Sequence, residues 1–79
     1  MRFDDTASDS ATLLNFAAND RPGLLFELAS VLTESGANIE VVLVNTEGHR
    51  ALDALYVTKG GGKLDETTEE ALRPLLQAL

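Results

Sequence analysis

Asn19-Asp20-Arg21-Pro22-Gly23-Leu24-Leu25 decides how the rest of the chain is read, because it turns a strand into a helix. The apolar run before it, Leu13 to Ala18, has strand character. After it, Leu24, Leu25, Leu28, Val31 and Leu32 recur at helical spacing, which predicts a helix from Pro22 to about Ser35. Pro22 suits the first helical position, where its missing N–H has no partner to lose and its φ is already helical. Gly23 has no Cβ and lets another molecule approach the backbone. The free N–H groups of a helix's first turn carry partial positive charge and suit a carboxylate. Asp20 beside them suits a cationic group, so the two together fit a free amino acid. The plainer reading of the same residues is a well-built helix start with Asp20 as its cap.

Working outward, Gly36 stops the helix, with Glu27 and Glu34 on its wet side. Ile39 to Thr46 is rich in β-branched residues and reads as a strand, followed by a polar turn, Glu47-Gly48-His49-Arg50, and a returning strand from Ala51 to Thr58. In the main N-terminal strand, Leu14, Phe16 and Ala18 share one face. A brief edge strand is expected at Met1 to Asp4, then a small polar loop, Asp5 to Ser10. Gly60-Gly61-Gly62 reads as a flexible loop. Asp65 caps a second helix with Glu66, Glu69 and Glu70 near its positive end, the acidic run from Asp65 to Glu70 reading as a helix start plus a solvated face, and Leu72, Leu75, Leu76 and Leu79 form its apolar face. Pro74 predicts a bend or break near Ala71–Arg73.

These elements give a single α+β domain over residues 1–79, in the order ββαββα. A four-stranded antiparallel sheet is expected to carry both helices on one face. Leu13, Ala17, Val41, Leu43, Leu52, Ala54 and Tyr56 then line the other face, which is too apolar for open water. A second copy of the chain is the expected cover, the alternative being that sheet edges and loops hide part of it. A chain of 79 residues has a thin core, burying about 60% of its unfolded surface, so association also suits its stability.

The formal charge of −7 argues against nucleic-acid or anionic-membrane partners. No apolar run approaches the ~20 residues of a membrane span, and Met1 to Asp5 has no signal-peptide character, so a cytoplasmic setting is expected. With no cysteine and one histidine, zinc and thiol chemistry are disfavoured, and His49 reads as a solvated turn residue. Asp4, Asp5 and Asp9 lack a calcium-loop pattern, and Gly60 to Lys63 lacks the first glycine and the Ser/Thr of a phosphate loop. Asp53, a carboxylate on the core face of its strand, either sits at the strand's end or pairs with Arg50 or another base across the sheet, pairing being the main expectation. No cofactor and no catalytic residues are implied.

Asp20-Arg21-Pro22-Gly23-Leu24-Leu25, followed by Leu28, Leu32, Gly36 and Asn38-Ile39, resembles the signature of the ACT domain family, small ferredoxin-like regulatory modules that bind amino acids and often dimerise. With Thr46-Glu47-Gly48, Arg50-Ala51-Leu52-Asp53 and Tyr56-Val57-Thr58, the pattern is similar to the C-terminal ACT repeat of bacterial PII uridylyltransferase/uridylyl-removing enzymes, which glutamine regulates. The resemblance implies an N-terminal strand in the sheet position of the usual last strand. It also implies ligand contacts at Asp20, Arg21, Pro22, Gly23, Leu24, Leu25, Asn38 and Ile39, with Asp20 meeting the ammonium, helix-start N–H groups the carboxylate, and part of the pocket coming from a second copy. Asn38 both donates and accepts, as a zwitterion needs. Allosteric regulation of an attached or partner enzyme of nitrogen or amino-acid metabolism follows, with glutamine the favoured ligand. Lys59 with the triple glycine, Pro74, Val41 and Leu43 depart from the pattern. Two readings stand against it. One is a ligand-free association module. The other is an acylphosphatase-like hydrolase using Arg21 and Asn38, which the acidic surface and missing anion cradle disfavour. RNA binding on the open face is disfavoured too, Tyr56 being its one stacking aromatic.

Overall fold

The computed structural model describes residues 1–79. Its elements are β1 (Arg2–Asp4), β2 (Thr12–Asn19), α1 (Leu24–Glu34), β3 (Asn38–Leu43), β4 (Thr46–Glu47), β5 (Arg50–Thr58) and α2 (Glu66–Gln77). All strand pairings are antiparallel, in the order β1-β2-β5-β3, with the short β4 also on β5. The fold is α+β and ferredoxin-like, as expected. β1 takes the edge beside β2, with Phe3 opposite Leu14 and buried.

Both helices cover one face. Leu14 and Phe16 of β2 and Ala51, Leu55 and Val57 of β5 join Leu24, Leu28 and Leu32 of α1 and Leu72 and Leu76 of α2 in one core. The period of two along β2 and β5 meets the period of 3.6 along the helices, and each buries its apolar stripe. Leu25 and Leu75 fall outside these stripes and stay exposed.

Several local expectations are corrected. The expected β3 strand splits: Val44 and Asn45 leave the ladder, and Leu52 N–H donates to the Asn45 carbonyl at 2.8 Å before β4 resumes. A bulge displaces Glu40 between Ile39, opposite Val57, and Val41, opposite Tyr56. The triple glycine forms an ordered tight turn. Gly60 and Gly61 both have positive φ, and Lys59 and Gly62 exchange backbone hydrogen bonds of 2.8 and 3.3 Å across it. α2 runs unbroken past Pro74, because the carbonyl that loses its donor is on Glu70, an exposed residue that water can satisfy. Asp65 does cap α2, accepting from Thr68 N–H at 2.7 Å.

The start of α1 differs most from expectation. Pro22 is not helical. Arg21-Pro22-Gly23-Leu24 is a turn closed by Leu24 N–H on the Arg21 carbonyl at 3.2 Å, with Gly23 at φ 79, ψ 1. Proline third from the end and glycine at positive φ after it are the requirements of a type II turn. Gly23 is the N-cap, so Asp20 does not cap the helix. A Cβ on Gly23 meets nothing within 4 Å, so only its backbone conformation resists substitution. Gly23→Ala is expected to cost about 1–2 kcal/mol, read as a lower urea midpoint at unchanged slope.

Candidate functional site

Asp20, Arg21, Pro22, Gly23, Leu24 and Leu25 are brought together at the end of the sheet where β2 stops and β5 begins. Asp20 N–H extends the β2–β5 ladder by donating to the His49 carbonyl at 2.7 Å, which fixes its backbone and leaves its exposed carboxylate without a salt bridge. The N–H groups of Gly23, Leu25 and Phe26 have no partner within the protein, and no side chain caps the helix. Arg21 is turned away from Asp20: its guanidinium pairs with Glu27 and reaches the Leu79 carbonyl at 3.5 Å. Leu24 is committed to the core. The arrangement is therefore a free carboxylate next to three free N–H donors at the positive end of a helix, able to hold an ammonium and a carboxylate side by side.

Asp53 stands behind this end and was not expected to matter to it. Its side chain is only 5% exposed, on the helix side of β5 opposite Phe16. No ion pair joins it to Arg50, which corrects the expected pairing. Its Oδ1 is buried and left without a donor. Burial pushes the Asp53 carboxyl above the ordinary range, the Asn45 N–H opposes the rise, and the charge of Asp20 adds to it. A Coulombic effect of Asp20 on Asp53 means that two carboxylates share this region without a cation.

Asn38 and Ile39 lie elsewhere. β2 and β3 each run antiparallel to β5 and so parallel to each other, which puts the end of β2 and the start of β3 at opposite ends of the sheet. α1, eleven residues long and so about 16 Å, spans the distance between them. Asn38 is exposed opposite Thr58, and Ile39 is half-buried against the core. Within one chain, Asn38 does not join Asp20. Beside Asn38 the open sheet face holds a cavity of ≈ 460 Å³, walled by Ser8, Ser10, Ala11, Glu40, Val41, Tyr56 and Thr58. Thr58 Oγ1 donates to Glu40 Oε1 at 3.2 Å across it. One faint sequence signal for this cavity is the small polar loop from Asp5 to Ser10, whose Ser8 and Ser10 line it.

The exposed apolar surface is concentrated on β3 rather than spread over the open face. Val41, Val42, Leu43 and Val44 are all exposed along the sheet's edge, as are Leu25 and Phe26 at the start of α1. Leu13, Ala17, Leu52, Ala54 and Tyr56 of the open face are half-buried. No helix is long and apolar enough to cross a membrane.

Residues 12–77 match the ACT domain family. The chain is 43% identical over 65 residues to the bifunctional uridylyltransferase/uridylyl-removing enzyme of Caulobacter vibrioides, covering 81% of this chain and 7% of that enzyme. To the enzyme of the same name from Streptomyces coelicolor it is 45% identical over 56 residues, covering 71% of this chain and 7% of the relative. To that of Phenylobacterium zucineum it is 35% identical over 77 residues, covering 95% and 8%. The chain thus spans less than a tenth of the length of these relatives. From Thr12 to Gln77 it carries the elements and the residue pattern of an ACT domain, and it belongs to that family of regulatory, non-catalytic modules.

Proposed function

We propose that this ACT domain senses a free amino acid, glutamine first, at an interface between two copies, and that occupancy modulates an attached or partner enzyme of nitrogen or amino-acid metabolism. The observation that carries the reading is the unpaired Asp20 carboxylate beside the unpaired N–H groups of Gly23, Leu25 and Phe26. The similarity to uridylyltransferase/uridylyl-removing enzymes supports the setting.

The need for two copies comes from topology. Asp20 and Asn38 of one chain are at opposite ends, so a site using both takes Asn38 from a second chain. β3 is an edge strand with an unpaired outer side, carrying Val41, Val42 and Leu43 exposed, and its one charged residue, Glu40, is displaced in the bulge. Such an edge invites strand addition. Two β3 strands meeting antiparallel about a two-fold axis set the C-terminal end of one beside the N-terminal end of the other. That pairing brings Asn38 of a second copy to the end of the sheet that carries Asp20.

An amide-resolved titration with the twenty amino acids tests the ligand. Glutamine is expected to shift Asp20 to Leu25 together with Asn38, and Asp20→Asn to weaken binding roughly ten- to hundredfold, the worth of one charged hydrogen bond. Absence of any shift at these amides would leave a ligand-free association module, whose thermal midpoint is the same with and without amino acids. The interface has its own test. Leu43→Lys is expected to leave a folded monomer at concentrations where the parent chain sediments as a dimer, because Leu43 is exposed and contributes nothing to the core.

A further inference from the structure

Glu69 lies three and seven residues before Leu72 and Leu76 on α2, so the helical repeat turns it inward with them. It is only 8% exposed, and its Oε2 has no hydrogen-bond partner among the donors of the protein. This corrects its expected place on a solvated face. What it faces is a second carboxyl, Asp5 of the β1–β2 connection, which lines the same depression. Burial first, then Asp5, push the Glu69 carboxyl up to about 7. Two carboxylates facing each other across one depression, one of them dry, repel strongly when both are ionised, whereas one proton between them allows an O–H···O bond.

Asp5 is held in that position. Its Oδ1 accepts from the Thr12 hydroxyl at 2.6 Å, and Thr12 Oγ1 accepts from Leu64 N–H at 3.0 Å. The Lys63 ammonium donates to the Asp5 backbone carbonyl. The connection is thereby tied to β2 and to the segment before α2, and it faces α2 at Glu69. The other charged groups facing Glu69 are on its own helix. Glu66 raises its carboxyl further, Arg73, 5.3 Å above the Phe3 ring, opposes the rise, and Glu70 lines the same depression. Asp65 is occupied as the cap of α2.

We propose that the buried, unpartnered Glu69 and the Asp5 that faces it share one proton, and that this pair is a latch between the N-terminal segment and α2, closed while the proton is held and released when it is lost. The same connection places Ser8, Ser10 and Ala11 in the wall of the open-face cavity, so release loosens that wall. Glu69 binds its proton more tightly in the folded chain than in the unfolded one. Its stabilising contribution is therefore full below the ordinary glutamate value of 4.5 and is lost as the pH rises through about 7.

Urea unfolding and amide hydrogen exchange at about pH 5 and about pH 8 test the latch, on the parent chain and on Glu69→Gln. The parent's unfolding constant is expected to rise about tenfold or more across this interval, with protection lost first at residues 5–11 and in the first turn of α2. Glu69→Gln donates to Asp5 through an amide that has no proton to lose at these pH values, and should change by no more than about twofold. A carbon-detected titration of the parent should place the Glu69 carboxyl near neutrality, and this reading decides the matter if the variant does not fold. An ordinary glutamate titration, or the same pH dependence in both proteins, overturns the proposal.

Discussion

The register of β5 is the constraint on which the rest of the structure depends. Its nine residues pair with β2 from Asn19↔Arg50 to Thr12↔Val57, with β3 from Leu43↔Ala54 to Asn38↔Thr58, and with β4 at its start. Ala51, Asp53, Leu55 and Val57 face the helices, while Leu52, Ala54 and Tyr56 face away. A slip of one residue would exchange these sets and put Leu55 and Val57 in water, so the core fixes the register. The antiparallel pairing on both sides of β5 then dictates that β2 and β3 run parallel. The turn after β2 and the first residue of β3 are consequently held apart by the length of α1.

That separation gives the two ends of the sheet different chemistry. One end has a type II turn, free N–H groups and the carboxylates Asp20 and Asp53 without a base between them. The other has Asn38, a hydroxyl-lined cavity and the Asp5–Glu69 pair. Arg21, the one base in the turn, is drawn off by Glu27. A positive charge is what the first end lacks, which is why the proposed ligand carries an ammonium group. The proposed second copy along the exposed β3 edge would supply the polar amide that a single chain keeps at the other end.

Much of this was legible in the sequence. The alternation in β2 and β5 and the leucines of α1 fixed the layers, and Asp65 announced its own cap. Two misread features carried usable signals. Pro22-Gly23 is the pair a type II turn wants, and Gly23 at positive φ explains why the helix begins at Leu24. Glu69 shares the helical face of Leu72 and Leu76, although its place in an acidic run suggested solvent. Other features had no local signal. The bulge at Glu40, the break at Val44 and Asn45 and the orphaned oxygen of Asp53 arise from how β3 and β4 meet β5, a matter of tertiary pairing. The distance from Asp20 to Asn38 likewise required strand direction, which adjacency in sequence disguises.

Complementation between two defective chains tests the shared-site account most directly. Asp20→Asn and Asn38→Ala each remove one half of the site, so neither homodimer should bind glutamine tightly. In an equimolar mixture, a mixed dimer has one site with both defects and one with neither. The account predicts that calorimetric titration of the mixture recovers parent-like affinity at about a quarter of all sites, the share expected for random two-fold pairing. No recovery in a mixture shown to contain mixed dimers would mean that Asp20 and Asn38 do not act across two copies, contradicting the account.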